Sequence, residues 1–232
     1  MGICVLVACV KERGGEAVGI TLSPDQVKVC KRDGLPAYLK DWKKMEPEEF
    51  GKFDGIISVG AFEHFCSPKE HLEGKQNTIY RQFFKLCHDI LPKGGRLYLQ
   101  TSVWGENVPR YEDISLKAPK DSNEYLLALA EKFFPGSWIP FGNEQLIKNS
   151  IGFKAVSVNT STSDYLHTIK EWSRYGHKIN FAKIKAIVKL IPRYIIDKNF
   201  RYQVEYFRRS VFTTMYKRKV MHLARIVFEK VS

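Results

Sequence analysis

A chain of 232 residues that is 44% apolar and 13% aromatic has ample length for a globular domain with a sizeable core, and too little polarity to spare for a disordered one. No run reaches the roughly 20 apolar residues of a membrane-spanning helix. The best stretch, 179–196, is interrupted by Lys183, Lys185, Lys189, Pro192 and Arg193. Cys4, Cys9, Cys30, Cys66 and Cys87 contain no CxxC pair and no Cys/His cluster at zinc spacing, so neither a disulfide framework nor a metal site is expected, and the setting reads as reducing and cytoplasmic. The apolar segment 2–10 lacks the basic lead-in and small-residue cleavage site of a secretory signal.

Residues 3–11 read as a helix. A short β-rich run at 18–21 then meets Ser23-Pro24, an N-cap followed by proline at the first helical position, which predicts strand, turn and helix. The grammar repeats with a buried-strand run at 53–59 and helical apolar spacing through Phe83, Phe84, Cys87 and Leu91, closed by Pro92-Lys93-Gly94-Gly95. A strand at 96–103, helices at 123–132 and 144–150, and a strand at 153–158 follow. After Tyr165 two or three helices, with an apolar stripe at Phe200, Val204, Phe207 and Val211, precede an alternating run at 220–230 that predicts a final antiparallel strand. Strands alternating with helices predict an α/β, doubly wound Rossmann-like sheet in a single domain, 1–232, with a helical cap at 165–217 inserted before the last strand.

The net charge of +12 is not spread evenly. Residues 169–230 hold 16 of the 37 Lys and Arg but only 4 of the 25 Asp and Glu, while the rest of the chain is balanced. A basic excess confined to 178–219 predicts a positive face for phospholipid headgroups or another polyanion. Lys183, Lys185, Lys189 and Arg193 alternate with Phe181, Ile184, Ile187, Val188 and Ile191, as in a helix lying in a headgroup layer or one packed on the sheet. Nucleic acid is the weaker partner reading, resting on Tyr202, Tyr206 and Phe207 among Arg201, Arg208 and Arg209.

In a doubly wound sheet, ligands bind beyond the carboxyl ends of the strands. The loops there offer Thr21, Ser23 and Gln26 beside a helix N-terminus, Asp41 as an acceptor for a ribose or exocyclic amine, Trp42 as a flat face, and Gly60 for close backbone approach, a set suited to a nucleoside with a charged tail. Each also has a local explanation as a cap, a surface acid or a half-buried ring.

The segments 19–26 (GITLSPDQ) and 58–65 (SVGAFEHF), with Leu91-Pro92-Lys93-Gly94-Gly95, Phe134-Pro135-Gly136 and the Tyr165, Thr168, Trp172 spacing, resemble the cyclopropane-fatty-acyl-phospholipid and mycolic acid cyclopropane synthases. These are S-adenosylmethionine-dependent methyltransferases. The resemblance implies a cofactor pocket of Thr21, Leu22, Ser23, Gln26, Asp41, Trp42, Val59, Gly60 and Ala61, and catalytic roles for Glu63 and Tyr165. It implies methyl transfer to the cis double bond of a lipid acyl chain, with bicarbonate as a bound base. Three departures stand out. The family's first strand and glycine-rich turn have no counterpart ahead of Gly2, so exposed sheet edges are expected; Gln100 stands at the bicarbonate-binding histidine; and Ser210 stands where many relatives have cysteine. The competing readings are N-methylation of a small amine in a smaller, acidic pocket, and a non-catalytic relative that binds anionic surfaces.

Overall fold

The computed structural model describes residues 2–176 and 181–231, with the side chains of 175, 176, 181–184 and 186 outside the description. The first element is helix α1 (Gly2–Glu12), followed by strand β1 (Gly19–Thr21). Helix α2 (Pro24–Arg32) starts as its sequence dictates: the Ser23 Oγ accepts a hydrogen bond from the Gln26 amide and Pro24 occupies the first turn. Strand β2 (Ala37–Leu39) pairs with β1 in parallel. Strand β3 (Gly55–Val59) leads through a 3₁₀ turn, Phe62–His64, to helices α3 (Pro68–Leu72) and α4 (Gln76–Ile90). Ser67 and Glu70 form a reciprocal capping box at α3, a short helix beyond the expected elements although its cap signature is legible.

Strand β4 (Arg96–Trp104) pairs in parallel with β3 and, over nine residues, antiparallel with the final strand β6 (Met221–Lys230). Helices α5 (Asn123–Phe133) and α6 (Gly142–Asn149) follow β4, and β5 (Phe153–Thr160) joins the outer edge of β6 through a bulge between Ala155 and Ser157. Between β5 and β6 the chain inserts α7 (Thr162–Gly176), α8 (Phe181–Ile196), α9 (Lys198–Arg208) and α10 (Val211–Lys217). The stripe expected from Phe200 to Val211 is not one face of one helix. Ser210, at φ 47°, breaks α9 from α10; Val211 is buried but Phe207 is 64% exposed, and Tyr206 takes the inward position. Tyr206 stacks on Phe133 at 4.7 Å, which removes it from the rings that could have met bases.

The described strands form two sheets, β1–β2 and β3–β4–β6–β5. β1 and β3 share no paired residues, in agreement with the expected open edges. A cavity of about 270 Å³ lies between them, lined by Ile3 and Val7 of α1, Ile20, Ile56, and Phe83 and Cys87 of α4. Two apolar clusters hold the larger sheet. One gathers Phe62, Tyr80, Phe83, Phe84, Leu97, Leu99, Ile226 and Phe228 around β4 and β6; the other gathers Trp104, Leu126, Leu129, Trp138, Tyr206, Val211 and Met215 beneath the inserted helices.

The structure also joins Cys4 to Cys30 in a disulfide, contrary to the expectation that no cysteines pair. The bond links α1 to α2, whose side-by-side packing brings together two residues that linear spacing could not match. Cys9, Cys66 and Cys87 are free thiols.

Candidate active site

Two segments deliver the site. After β3, Gly60 takes φ +65°, a left-handed conformation that glycine adopts without strain, and the chain turns into the Phe62–His64 3₁₀ segment. Phe62 is fully buried, with its ring 4.6 Å from that of Tyr80 and 4.9 Å from that of Phe65, so the turn is anchored from below. That anchor aims Glu63 at the end of β4, where its Oε1 accepts a hydrogen bond from the Ser102 amide at 2.8 Å. Its Oε2 is shut off from solvent and has no hydrogen-bond partner. Burial raises the Glu63 pKa and outweighs the stabilisation of the carboxylate by the Ser102 amide. His64 Nδ1 lies 2.7 Å from Ser137 Oγ.

Glu63 lies at a cavity of about 270 Å³ with a mainly apolar wall: Trp104, Leu127, Phe134, Trp138, Phe212 and Met215 line it, with Gly60, His64 and Ser102 at the Glu63 end. Tyr165, from α7, lines the same cavity, and its phenol pKa is raised first by burial and then by the Glu63 charge. Tyr165 is braced by the rings of Tyr216 at 5.2 Å and Phe212 at 6.1 Å; the Tyr216 hydroxyl in turn sits 2.7 Å from Ser102 Oγ. The sequence thus led to Glu63 and Tyr165, and the fold brings them together across about a hundred residues of chain. It did not single out Trp104 or Trp138, which belong to the end of β4 and to an irregular stretch, where no local pattern marks a cavity wall.

The nine residues assigned to a cofactor lie at the ends of β1 and β3, in the turns that follow β1, β2 and β3, and, for Gln26, in the first turn of α2. Of these nine, only Gly60 borders the cavity that holds Glu63. Thr21 Oγ1 donates to Gln26 Oε1 at 2.9 Å, Ser23 Oγ caps α2, and Asp41 Oδ1 accepts the Lys43 amide at 3.0 Å. Leu22 is 71% exposed, and Val59 and Ala61 are exposed on the other sheet. Trp42 does not stand clear as a flat platform: its ring packs 4.8 Å from Phe65 and 5.5 Å from Phe83, beside the gap between the sheets. Gln100 points elsewhere, with Oε1 accepting from Arg225 Nε at 3.0 Å and Tyr98 Oη at 3.3 Å, and it does not line the Glu63 cavity. Of the basic and apolar side chains ascribed to α8, those of Phe181, Lys183 and Ile184 lie outside the described residues.

Residues 2–215 match the family model for mycolic acid cyclopropane synthetase. The chain belongs to that family. Cyclopropane mycolic acid synthase 2 of Mycobacterium leprae is 27% identical over 164 residues, covering 67% of this chain and 52% of the relative. Cyclopropane mycolic acid synthase 3 of Mycobacterium tuberculosis is 29% identical over 169 residues, with the same two coverages. The chain therefore spans about half the length of the curated relatives it matches. In three dimensions it is similar to the cyclopropane synthase MmaA2 of Mycobacterium tuberculosis, with a TM-score of 0.62 at 20% identity over 92% of this chain and 69% of that one. It is likewise similar to the mycolic acid cyclopropane synthase CmaA1 complexed with SAH and CTAB, with a TM-score of 0.66 at 20% identity over 97% of this chain and 73% of that one. These likenesses establish the α/β methyltransferase fold of this family member.

Proposed function

We propose that this family member is an S-adenosylmethionine-dependent methyltransferase that acts on the double bond of an unsaturated lipid acyl chain. The observation that carries the reading is the buried Glu63 carboxyl, with one oxygen free of partners, at an apolar cavity that Gly60 connects to the cofactor loops. Relatives are cyclopropane mycolic acid synthases, and CmaA1 has been solved in complex with SAH and CTAB. An amine substrate would call for a smaller acidic pocket; Glu63 and Glu131 are the only carboxylates on this wall among the described residues, against eleven apolar side chains, which favours an acyl chain.

The cofactor residues fit in part: Thr21, Leu22, Ser23, Gln26, Asp41 and Trp42 approach from the small sheet, and Val59, Gly60 and Ala61 from the large one. When bound, the cofactor supplies an electrophilic methyl group. The chain supplies the rest. The apolar wall excludes water and aligns the acyl chain. Methyl addition to the alkene leaves positive charge on the neighbouring carbon, which the ionised Glu63 carboxylate stabilises in a low-dielectric site. Loss of a proton from the added methyl, with closure of the carbon–carbon bond, gives a ring; the proton passes to the Glu63 carboxylate. Burial raises the basicity of Glu63 for that step. Tyr165, oriented by Tyr216 and Phe212, positions the acyl chain against Glu63.

Bicarbonate fits less well. Glu63 and Tyr165 share the cavity, but Gln100 is turned away and held by Arg225, so no step is routed through that anion. The basic 178–219 region is the natural contact with anionic lipid in a peripherally membrane-bound enzyme; no described helix is long and apolar enough to cross a membrane, and the Cys4–Cys30 disulfide removes the ground on which a reducing, cytoplasmic setting was expected. The test is incubation with isotopically labelled S-adenosylmethionine and vesicles of an unsaturated phospholipid. The expected product is an acyl chain one methylene heavier, and methylation of small amines alone would overturn the lipid reading.

A further inference from the structure

Helix α8 is amphipathic, but its apolar row faces outward. Ile187, Val188, Leu190, Ile191 and Ile195 are between 42 and 66% exposed. Lys185, Lys189 and Arg193 follow one another at four-residue intervals on the opposite side of the helix, because two residues of offset from Ile187, Ile191 and Ile195 is about 200° of turn. An exposed apolar row of this size on a soluble surface marks a contact site.

Beside it lies a second cavity, of about 450 Å³, whose character is the reverse of the Glu63 site. Its wall carries Lys120, Lys198, Arg201 and Arg208 with the phenols of Tyr194 and Tyr202, against the single carboxylate of Glu205. That carboxylate is committed elsewhere: Oε1 accepts from Arg209 Nε at 2.8 Å and Oε2 from the Tyr125 hydroxyl at 2.8 Å. Among the described residues, Lys120, Lys198 and Arg201 have no ion-pair partner, and Arg208 has only Glu205, at 3.9 Å. Arg201 is fixed rather than loose, since its Nη1 donates to the carbonyls of Tyr194 at 3.3 Å and Ile195 at 2.6 Å, which tie off the last turn of α8 without neutralising the guanidinium. The cavity therefore concentrates positive charge and N–H and O–H donors, the requirements of a phosphate group. Tyr194 joins the two features: it is four residues from Leu190 and three from Ile191, on the same face as the apolar row.

We propose that the cavity between α8 and α9 binds the phosphate of one anionic phospholipid headgroup while the apolar row of α8 enters the leaflet beside it. The apolar row decides the source of the phosphate, because a soluble phosphate would leave it in water. Lys185, Lys189 and Arg193, on the far side, add only long-range attraction. The inference rests on the proposal that the chain works at a lipid surface, but binding needs neither cofactor nor turnover.

The test is co-sedimentation, without cofactor, on phosphatidylcholine vesicles with and without phosphatidylglycerol. Four proteins are compared: wild type, Lys198→Gln/Arg208→Gln, the charge-matched Lys185→Gln/Lys189→Gln, and Ile187→Asp/Ile191→Asp. Unchanged circular dichroism and thermal midpoints confirm that each is folded. Wild type is expected to bind only the phosphatidylglycerol vesicles; the cavity pair should lose at least about ten times more affinity than the charge-matched pair, and the Ile pair should lose binding. Equal losses in the two charge pairs would reduce the cavity to part of a diffuse positive face and overturn the proposal. So would saturable calorimetric binding of inorganic phosphate without vesicle binding. Methyl transfer to detergent-dispersed lipid with no vesicle binding would overturn this inference and leave the proposed function standing; vesicle binding without methyl transfer would do the opposite.

Discussion

The two sides of this molecule are built to different standards. On one side β4 and β6 run antiparallel over nine residues, β3 and β5 flank them, and an aromatic and aliphatic cluster packs against β4 and β6. On the other side β1 and β2 are three residues each, their sheet is separate from the larger one, and an apolar cavity takes the place of strand contact. The catalytic candidates Glu63 and Tyr165 sit on the closed side, whereas most of the cofactor loops belong to the open one. Under the proposed function, positioning of the carboxylate and enclosure of the cofactor fall to different regions, and each can be perturbed separately.

The largest expected effect is on chemistry. Glu63→Gln keeps the shape and loses the base, so methyl transfer should fall by about a hundredfold or more while the affinity for S-adenosylhomocysteine is retained. Turnover within a few-fold of wild type would make Glu63 a structural residue. On the closed side, Phe62→Ala removes a fully buried ring at the centre of the aromatic cluster and should cost about 3–5 kcal/mol in denaturant unfolding. On the open side, reduction of Cys4–Cys30, which closes a loop with a sequence separation of 26, should cost up to about 3 kcal/mol. Hydrogen exchange should then quicken in α1, α2 and β1 and leave β4 and β6 unchanged; an equal increase in both regions would remove the distinction. Ser23→Ala deletes the cap of α2 and should cost about 1 kcal/mol, again confined to the open side.

The smallest effect is a pH dependence. The Glu63 pKa is raised in the folded protein, so the folded state favours the neutral acid, and that contribution to stability is lost as pH rises through the folded pKa. Glutamine is neutral throughout. The thermal midpoint of Glu63→Gln relative to wild type should therefore increase from about pH 4 to about pH 7; a flat or falling difference would mean that the carboxylate is not penalised by burial.

Much of the fold, on both sides, was legible because its signals are local. Ser23-Pro24 announces α2, the spacing of Phe83, Phe84 and Cys87 announces α4, and the alternation after Val220 announces β6. The loop that carries Glu63 was legible because it follows a strand end, where α/β folds place their chemistry, but the role of Glu63 itself came from the family resemblance of the 58–65 segment. What escaped depends on distant partners. Cys4 meets Cys30 only when α1 packs on α2, and the side chain of Gln100 is claimed by Arg225 from a strand 125 residues away. Trp42 is drawn onto Phe65 and Phe83 by packing that composition does not reveal, and in α9 Tyr206 rather than Phe207 takes the inward position against Phe133.

The central claim is that loops on two separate sheets still form one cofactor site leading to Glu63. Calorimetric titration of S-adenosylhomocysteine into the 232-residue chain tests it most directly, with Asp41→Ala and Gly60→Val as companions. The account predicts saturable one-to-one binding that both substitutions weaken, one on each sheet. A folded protein that binds no S-adenosylhomocysteine, or that binds it unaffected by either change, would contradict it.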